Sequence, residues 1–456
     1  MMVAMENRIF RKNFFRDLLV LVIPIMIQNF VTSFVQLADT VMLGRLSQTA
    51  LSASSLAGQM GFILFIVHFG LASAITILAS QYWGKEDYDT IGKVLGIGLT
   101  ISILVSLPVT AVCVLFPKEV LYFWTNDPEL LSAGADYFRI VSVSYLFLAV
   151  SQPYLALMRS CERVSLSTWI STFSLFLNIL LNALLIFGLA GFPRLGIRGA
   201  AVATLLSRLA ELVSCLIDFR FQTILPKRIS EWFRIPSVLK KDFRLYCMPA
   251  LINDVLWVFA FNMNSVIMGH LGSDMVAASS VASVARELIT VAGYGIASAA
   301  AILLGKEIGE GNNELAKKDA DALMISAFLT ATVQGILLFA AIPLILKAAI
   351  LSETAQANLA CMLKISCFYQ ILQVMNTLLI ASVFRCGGDS KYGMRLDLFS
   401  MWALTVPIGL ISAFVLKLPP LAVYTVLCID EVFKFPLCMR HYFSGSWNRN
   451  LTRDAF

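Results

Sequence analysis

The sequence has few charged residues, almost no histidine, and no cysteines paired at short spacing. Asp, Glu, Lys and Arg make up 14% of the 456 residues, whereas a soluble domain carries about 25%. The nine cysteines include no CxxC pair and lie mostly in apolar runs, and the three histidines are far apart. We therefore expect buried thiols that act as small hydrophobic side chains, without disulfides or a metal cluster.

Motifs for nucleotide-driven or catalytic chemistry are also missing. The sequence contains no Walker loop, nucleotide-binding motif or catalytic Ser/His cluster, which disfavours ATP-driven transport by this chain alone. We predict no enzymatic activity and no cofactor. The net charge of +6 could suggest nucleic acid, but the basic residues lie in loops between apolar runs and are typical of a topology signal. No nucleic-acid partner is predicted.

Hydrophobic residues are abundant instead, at 58% of the chain. They form runs of roughly twenty residues, the length that crosses a lipid bilayer as a helix. Barrel strands need short alternating segments and are excluded. The predicted fold class is an all-α polytopic membrane protein. Its twelve predicted spans lie near 18–43, 54–80, 94–116, 138–158, 165–190, 197–219, 243–268, 279–304, 321–350, 363–384, 396–416 and 418–439.

The two halves of the chain repeat one another. At one constant offset, Pro24–Gly84 aligns without a gap on Pro249–Gly309, and the matches cluster at Gly, Pro and Ser. A repeated unit with an even number of spans does not invert, so two six-helix lobes related by a pseudo-two-fold axis along the membrane normal are expected. We predict an N-terminal six-helix lobe over 14–222, a basic cytoplasmic linker over 223–241, and a C-terminal six-helix lobe over 242–445.

Lys and Arg are distributed unevenly between the two sides of the predicted spans. Most lie on the side of the N-terminus. The other side carries only Arg45, Lys118, Arg139, Arg194, Arg198, Lys347 and Lys417. Basic loops stay in the cytoplasm, so both termini are predicted to be cytoplasmic, in a multi-pass protein of the cell membrane that contacts the lipid bilayer directly.

Asp39 is the single carboxylate of the first span. Together with Gln28, Thr32 and Gln36 it forms one polar stripe along the predicted helix. A carboxylate in hydrocarbon costs several kcal/mol, so it is expected to face a cavity or a partner. Asp39 either binds a cation or proton, or has a structural role in which it caps the extracellular end of the helix or pairs with Arg45.

The seventh span repeats this stripe as Asn253, Trp257, Phe261 and Asn264, with Asp254 beside it. Asp254 lies about 16 Å into the predicted span, close to the midplane. A carboxylate at that depth without a binding role would be energetically unfavourable. Each half therefore carries one acid that is expected to be unpaired.

Amide side chains recur in two other spans. Such amides either coordinate a cation or bind a carboxylate, or they join neighbouring helices by hydrogen bonds. They are Asn178 and Asn182 in the fifth span, with Ser171 and Ser174, and Gln370, Gln373 and Asn376 in the tenth.

Three charged pairs inside the spans are interpreted as structural. Arg208 with Glu211 and Asp430 with Lys434 have the spacing of ion pairs on one helix. Arg286 and Glu287 are adjacent in sequence.

Several stretches resemble the multidrug and toxic compound extrusion (MATE) family of cation-coupled antiporters, in order and over nearly the whole chain. The first span contains LADTVMLGRLSQTALSASSLA, and the fifth and sixth contain LNILLNALLIFG and GIRGAAVATLLSR. The tenth span is followed by FRCGGDSKYG, and the C-terminal region contains DEVFKF and RHYFSGSWNRNLT. Asn253, Asp254 and Trp257 resemble an Asn-Glu-x-x-Trp motif of one bacterial branch, with Asp in place of Glu.

The resemblance implies two lobes around a central cavity that opens alternately to each side. Na⁺ or H⁺ would enter as a small organic, often cationic, drug or metabolite leaves. Asp39 matches the first-helix acid and Asn178 the fifth-helix amide. Asn182 and Gln370 stand where some members have Asp, so a coupling site built on either acid is not expected here.

We therefore predict a monomeric multidrug efflux antiporter. Asp39 and Asp254 are the predicted coupling residues, supported by Gln28, Asn178, Asn182, Asn253, Trp257, Asn264, Gln370 and Gln373. Na⁺ at either acid is the only metal expected. A lipid-linked-saccharide flippase would need cationic residues lining the cavity, and an intramembrane enzyme would need clustered His, Asp or Ser; the sequence favours neither.

Overall fold

The computed structural model describes residues 13–123, 125–349 and 351–454. These residues form helices joined by short loops, with no β-strand among them. They divide into two compact units. The N-terminal unit contains Ile27–Ala79 and Glu86–Lys240, and the C-terminal unit contains the residues up to Met26, Ser80–Lys85 and those from Lys241 onward. The predicted domain boundaries stay a prediction.

Most helices of the first half are long and apolar, and two of them, α4 and α9, are short. They are α1 (Phe14–Leu46), α2 (Gln48–Gly84), α3 (Tyr88–Leu115), α4 (Pro117–Tyr122), α5 (Pro128–Val141), α6 (Ser144–Ser160), α7 (Val164–Phe187), α8 (Ile197–Phe221) and α9 (Ile229–Trp232).

The second half continues the pattern, with helices whose π-helical turns are counted as part of the span. They are α10 (Ser237–Gly269), α11 (Ser273–Gly309), α12 (Asn313–Ala348), α13 (Glu353–Cys386), α14 (Ser390–Val415), α15 (Pro420–Leu427) and α16 (Ile429–Ser444).

All twelve predicted spans lie on helices. Within the described residues, ten helices are long and apolar enough to cross a membrane, and α5 with α6, bent by 44°, makes an eleventh. The region of the twelfth predicted span is divided between α15 and α16, which meet at Cys428. α16 carries Asp430, Glu431 and Lys434, all buried, so it is more polar than the other spans.

Four π-helical turns interrupt the membrane helices of the C-terminal unit. They are Phe243–Cys247, Leu378–Val383, Phe399–Thr405 and Ile411–Val415. Such turns widen the helix locally and are frequent near functional sites. Two of these turns lie next to buried charged residues: Arg385 follows the second turn, and Asp397 precedes the third.

The basic linker is anchored to α3 in the N-terminal unit. Trp232 of α9 is buried, and its indole N–H donates a hydrogen bond to the carbonyl of Pro226 at 3.1 Å. The linker backbone comes so close to α3 that a Cβ at Gly96 would lie 2.1 Å from the carbonyl oxygen of Trp232. Glycine at this position therefore permits the contact.

The C-terminal tail, residues 445–454, runs along helix ends of the C-terminal unit. Arg453 forms a two-point ion pair with Asp242 at 2.6 and 2.8 Å. The Leu451 N–H donates to Oε1 of Gln81 at 2.7 Å, and the Gln81 amide donates to the carbonyl of Cys386 at 2.5 Å. The tail therefore joins segments that are distant in sequence.

Candidate functional site

Asp39 lies in the last two turns of α1, within the N-terminal unit. Its side chain is half-buried, and its carboxylate accepts a hydrogen bond from the amide of Asn182 on α7 at 2.7 Å. No Lys or Arg nitrogen of the described chain lies within 4.0 Å of it. Arg45, the predicted alternative partner, is exposed. The Asp39 charge is therefore supported by an amide dipole and not by an ion pair.

A chain of amides and hydroxyls extends from Asp39. The Asn182 amide also donates to Oδ1 of Asn178 at 3.1 Å. The Asn178 amide in turn donates to the hydroxyls of Thr204 and Ser207 on α8, both at 3.4 Å. Both predicted α7 amides are therefore brought together with Asp39. These oxygens and the carboxylate are the ligand types that a Na⁺ ion or a proton would use.

Gln28 is also half-buried on α1 but does not join this chain. It precedes Asp39 by eleven residues, which corresponds to about 16 Å along a helix. Its backbone carbonyl accepts a hydrogen bond from the hydroxyl of Thr32 at 2.8 Å.

Asp254 lies on α10 in the C-terminal unit and is paired with Arg385. Two hydrogen bonds, at 2.6 and 3.0 Å, join the guanidinium and the carboxylate. Asp254 is 8% exposed and Arg385 is 4% exposed. The expectation that Asp254 is unpaired is therefore wrong, because the chain folds a cation from the end of α13 onto it. This two-point geometry is the strongest that a guanidinium and a carboxylate adopt.

Asn253, next to Asp254, begins a second buried polar network. Its amide donates to Oδ2 of Asp397 on α14 at 2.9 Å. The other oxygen of Asp397 accepts from Nζ of Lys434 on α16 at 3.3 Å. Lys434 also contacts Glu431 at 2.9 Å and Asp430 at 3.5 Å. Two neighbouring residues of α10 therefore contact different charged groups: Asp254 pairs with Arg385, and Asn253 bonds to Asp397 of the Lys434 cluster.

Trp257 lies one turn beyond Asn253. Its ring stacks on that of Phe261 at 5.6 Å between centroids. The Arg286 guanidinium of α11 lies 5.8 Å from the Phe261 ring centroid and 5.5 Å from that of Tyr369. Asn264 lies ten residues beyond Asp254, about 15 Å along the helix. Its Oδ1 is buried and has no hydrogen-bond partner among the described residues.

The predicted amides of α13 are buried. The Gln370 amide donates to the carbonyl of Ala331 on α12 at 2.9 Å, as a helix-joining amide does. Gln373 is 5% exposed. Asn376 donates from its amide to the Glu431 carboxylate at 2.7 Å and to the Glu431 carbonyl at 2.9 Å. Of these three residues, only Asn376 contacts the charged network.

Two of the three pairs interpreted as structural are ion pairs in the structure. Arg208 and Glu211 lie 3.0 Å apart, and Asp430 and Lys434 lie 3.5 Å apart. Arg286 differs, because within the described residues it contacts aromatic rings and forms no ion pair with Glu287.

Sequence reasoning missed Arg385 and Asp397 as members of the C-terminal clusters. Arg385 belongs to a family-like motif at a helix end, where a basic residue is ordinary. Asp397 lies inside the predicted eleventh span. A carboxylate within an apolar run was the available signal for Asp397, whereas only the three-dimensional fold identifies the partner of Arg385.

Buried acids, amides and cations inside apolar helices are typical of a membrane transporter, which uses them to bind ions or substrates. Comparison with known proteins agrees with this class. A model of the MatE family matches residues 24–184 and 249–411, one stretch in each half of the chain. The chain belongs to the MatE family, and its class is that of a transporter and not an enzyme.

Relatives align over most of the chain at low identity. A "Probable multidrug resistance protein NorM" of Thermotoga maritima is 23% identical over 446 residues, covering 96% of this chain and 95% of the relative. A "Multidrug and toxin extrusion protein 1" of Oryctolagus cuniculus is 24% identical, covering 91% of this chain and 72% of the relative.

Solved structures have the same fold. One, titled "Crystal structure of MATE in the bent conformation", superposes with a TM-score of 0.85 at 18% identity, covering 95% of this chain and 96% of the other. Another, an outward-facing "multidrug resistance MATE family transporter of the MOP superfamily", gives 0.83 at 18% identity, covering 94% and 96%. The all-helical polytopic membrane fold predicted from the sequence is therefore confirmed.

Proposed function

We propose that this chain exports small organic, often cationic, compounds in exchange for Na⁺ or H⁺ by alternating access. It works as a monomer in the cell membrane, with both termini in the cytoplasm. Membership of the MatE family supports organic compounds as substrates, as do relatives named multidrug resistance or multidrug and toxin extrusion proteins.

The observation that carries the proposal is the environment of Asp39. A half-buried carboxylate inside a membrane helix is held by the Asn182 amide at 2.7 Å. Among the described residues it lacks a Lys or Arg partner within 4.0 Å. Such a carboxylate, without an ion-pair partner, has a charge that a proton, a Na⁺ ion or a cationic compound can neutralise. Asn182 and Asn178 supply further oxygens for Na⁺.

Asp254 couples in a different way, because Arg385 already neutralises it. A proton or Na⁺ that binds Asp254 must compete with the guanidinium at 2.6 and 3.0 Å. Binding would release Arg385, and release of the ion would restore the pair. Two arrangements with different ion affinities are what coupling between two flows requires.

The surrounding predicted residues have supporting roles in this proposal. Asn253 fixes the α10 turn that bears Asp254 through its bond to Asp397 at 2.9 Å. Trp257 and Phe261 supply a stacked aromatic surface, which suits flat organic cations. Gln28, Asn264, Gln370 and Gln373 are further candidate polar contacts for the substrate or ion.

The test is transport by the purified chain in proteoliposomes. Export of a fluorescent organic cation is followed under an imposed Na⁺ gradient, an imposed pH gradient, or neither. We expect one gradient to accelerate export and the compound to drive the counter-flow of that ion. Export that responds to neither gradient would refute cation exchange.

A further inference from the structure

A compact acidic cluster lies in the C-terminal unit, separate from the Asp254–Arg385 pair. It consists of Asp397 on α14 and of Asp430, Glu431 and Lys434 on α16. All four side chains are buried, and Lys434 is 2% exposed. The ammonium contacts all three carboxylates, at 3.3, 3.5 and 2.9 Å.

The charges of this cluster do not balance. Three carboxylates surround one ammonium, which leaves two net negative charges if every group is ionised. On α11, Arg286 and Glu287 carry opposite charges, and both interact electrostatically with Tyr294, which also interacts with Glu431. Counting both leaves the two net negative charges of the cluster unchanged. Uncompensated charge away from water is strongly unfavourable, so the cluster has to take up a positive charge.

Asn376 of α13 gives a second, independent indication. It is 1% exposed, and its amide nitrogen donates to the Glu431 carboxylate at 2.7 Å, so the amide group lies against the cluster. Its Oδ1 is buried and has no hydrogen-bond partner in the part of the chain that the structure describes, and the same holds for Oδ1 of Asp430. Buried acceptors of this kind are rare in folded proteins. A proton on a carboxyl oxygen would add a donor where acceptors are in excess.

The geometry favours a proton over Na⁺. Lys434 Nζ occupies the position between the carboxylates that a metal ion would take, and it would repel a second cation there. A proton binds one oxygen covalently and needs no such space. Carboxylates that share a site do not all ionise, for the same electrostatic reason.

Among the described residues, the other titratable groups that interact directly with the carboxyls of the cluster are two tyrosines and two cysteines, which are weaker acids than a carboxyl. Tyr294 of α11 and Tyr369 of α13 face Glu431, and Cys438 of α16 faces Asp397. Cys428 precedes α16 and faces Asp430. The three carboxyls are therefore the groups of this cluster that can take up a proton.

We propose that Asp397, Asp430, Glu431 and Lys434, together with Asn376, form a proton-binding site in which the three carboxyls hold at least one exchangeable proton. The site is joined to the candidate coupling acid through Asn253, which bonds Asp397 and precedes Asp254. Only the role of this proton in ion exchange rests on the proposed function. Binding itself does not require transport.

The N-terminal unit offers a matched control in Glu211, 1% exposed. Its carboxylate accepts from the Ser151 hydroxyl at 2.8 Å, the Gln152 amide at 3.0 Å and Arg208 at 3.0 Å. One cation and two neutral donors satisfy this one acid. No added proton is expected there.

The experiment is an infrared pH titration of the purified, full-length protein in lipid nanodiscs. Protonated carboxyls give a carbonyl band that is distinct from the carboxylate bands. We expect such a band near neutral pH, its loss in Glu431→Gln or Asp430→Asn, and its retention in Glu211→Gln. Lys434→Met should strengthen it, because removal of the ammonium increases the negative charge. Misfolding would not produce these opposite changes.

Two outcomes would overturn the proposal: no protonated-carboxyl band in the wild type near neutral pH, or a band unchanged in all three cluster variants. Neither result bears on the proposed function, which gradient-driven export in proteoliposomes tests separately. The opposite combination is also informative. If the band responds to the variants as expected but neither gradient accelerates export, the proton site is supported and the exchange function is refuted.

Discussion

Arg385 and Asp254 lie 131 residues apart in the sequence and form a buried two-point ion pair, with contacts of 3.0 and 2.6 Å. The pair joins the middle of α10 to the end of α13. A buried pair of this kind adds little net stability compared with apolar residues, but removing one partner leaves the other charge uncompensated.

Arg385→Met is therefore expected to destabilise the protein by about 3–5 kcal/mol, the usual cost of stranding a buried charge. Arg385→Met combined with Asp254→Leu should cost clearly less than Arg385→Met alone, because neither charge remains. Thermal unfolding in detergent, followed for the single and double variants, measures this difference. If the loss of stability in the double variant equals the sum of the losses in the two single variants, the two side chains do not interact.

Asn182→Ala is expected to impair the Asp39 site without removing its charge. It deletes the donor at 2.7 Å, and a hydrogen bond to a charged group is worth about 1.5–3 kcal/mol. Gradient-driven export should fall further with this variant than with Thr204→Ala, which removes only the distal contact with Asn178 at 3.4 Å. Equal activities for the two variants would argue against a role for the Asn182–Asp39 bond.

Trp447 anchors the C-terminal tail, since its side chain is 1% exposed and its indole donates to the Tyr442 carbonyl at 3.1 Å. Trp447→Ala should cost about 3–5 kcal/mol of stability. Phe443→Ala is the control, because that ring is 71% exposed and surface changes are usually within about 0.5 kcal/mol. Thermal unfolding and carboxypeptidase digestion of the tail measure both effects.

The end of the tail should loosen as the pH falls. The hydrogen bond and positive charge of Lys85 lower the pKa of Asp454, so this contact stabilises the folded tail above the unfolded-state pKa of Asp. Stabilisation is lost as pH drops through the lower folded-state pKa. Protease access to the tail should rise in that acidic range and on adding salt, because Asp454 is fully exposed. Asp454→Asn should remove this pH response.

Gly96 is expected to be intolerant of a side chain. A Cβ there would lie 2.1 Å from the Trp232 carbonyl oxygen, whereas a Cβ at Gly58 would meet nothing within 4 Å. Gly96→Ala should therefore destabilise the N-terminal unit by about 1–3 kcal/mol through overpacking. Gly58→Ala should be neutral or slightly stabilising, because alanine favours helix. Thermal unfolding of the two variants provides the comparison.

Hydropathy and repetition were sufficient to predict the helical membrane fold. The apolar runs are long, and all twelve predicted spans lie on helices. α16 is less apolar than most of the spans, because it carries Asp430, Glu431 and Lys434. Their mutual pairing explains how such a helix is buried, and only the Asp430–Lys434 spacing was visible in the sequence.

The candidate site was predictable in its residues but not in its partners. The stripe on α1 and the amides on α7 identified Asp39 and Asn182, which the structure brings to 2.7 Å. Asp254 was identified by its depth, yet its contact with Arg385 depends on packing between distant helices. Local periodicity carries no information on such pairings, so the expectation of an unpaired acid failed there.

The most direct test of ion exchange through Asp39 and Asp254 is gradient-driven export by matched variants in proteoliposomes. Asp39→Asn and Asp254→Asn are compared with wild type at equal amounts of folded protein, with Asp136→Asn as an exposed-acid control. We predict that the control responds to the imposed Na⁺ or pH gradient as wild type does, and that the two site variants lose most of the response. Full gradient-driven export by both site variants would contradict the account.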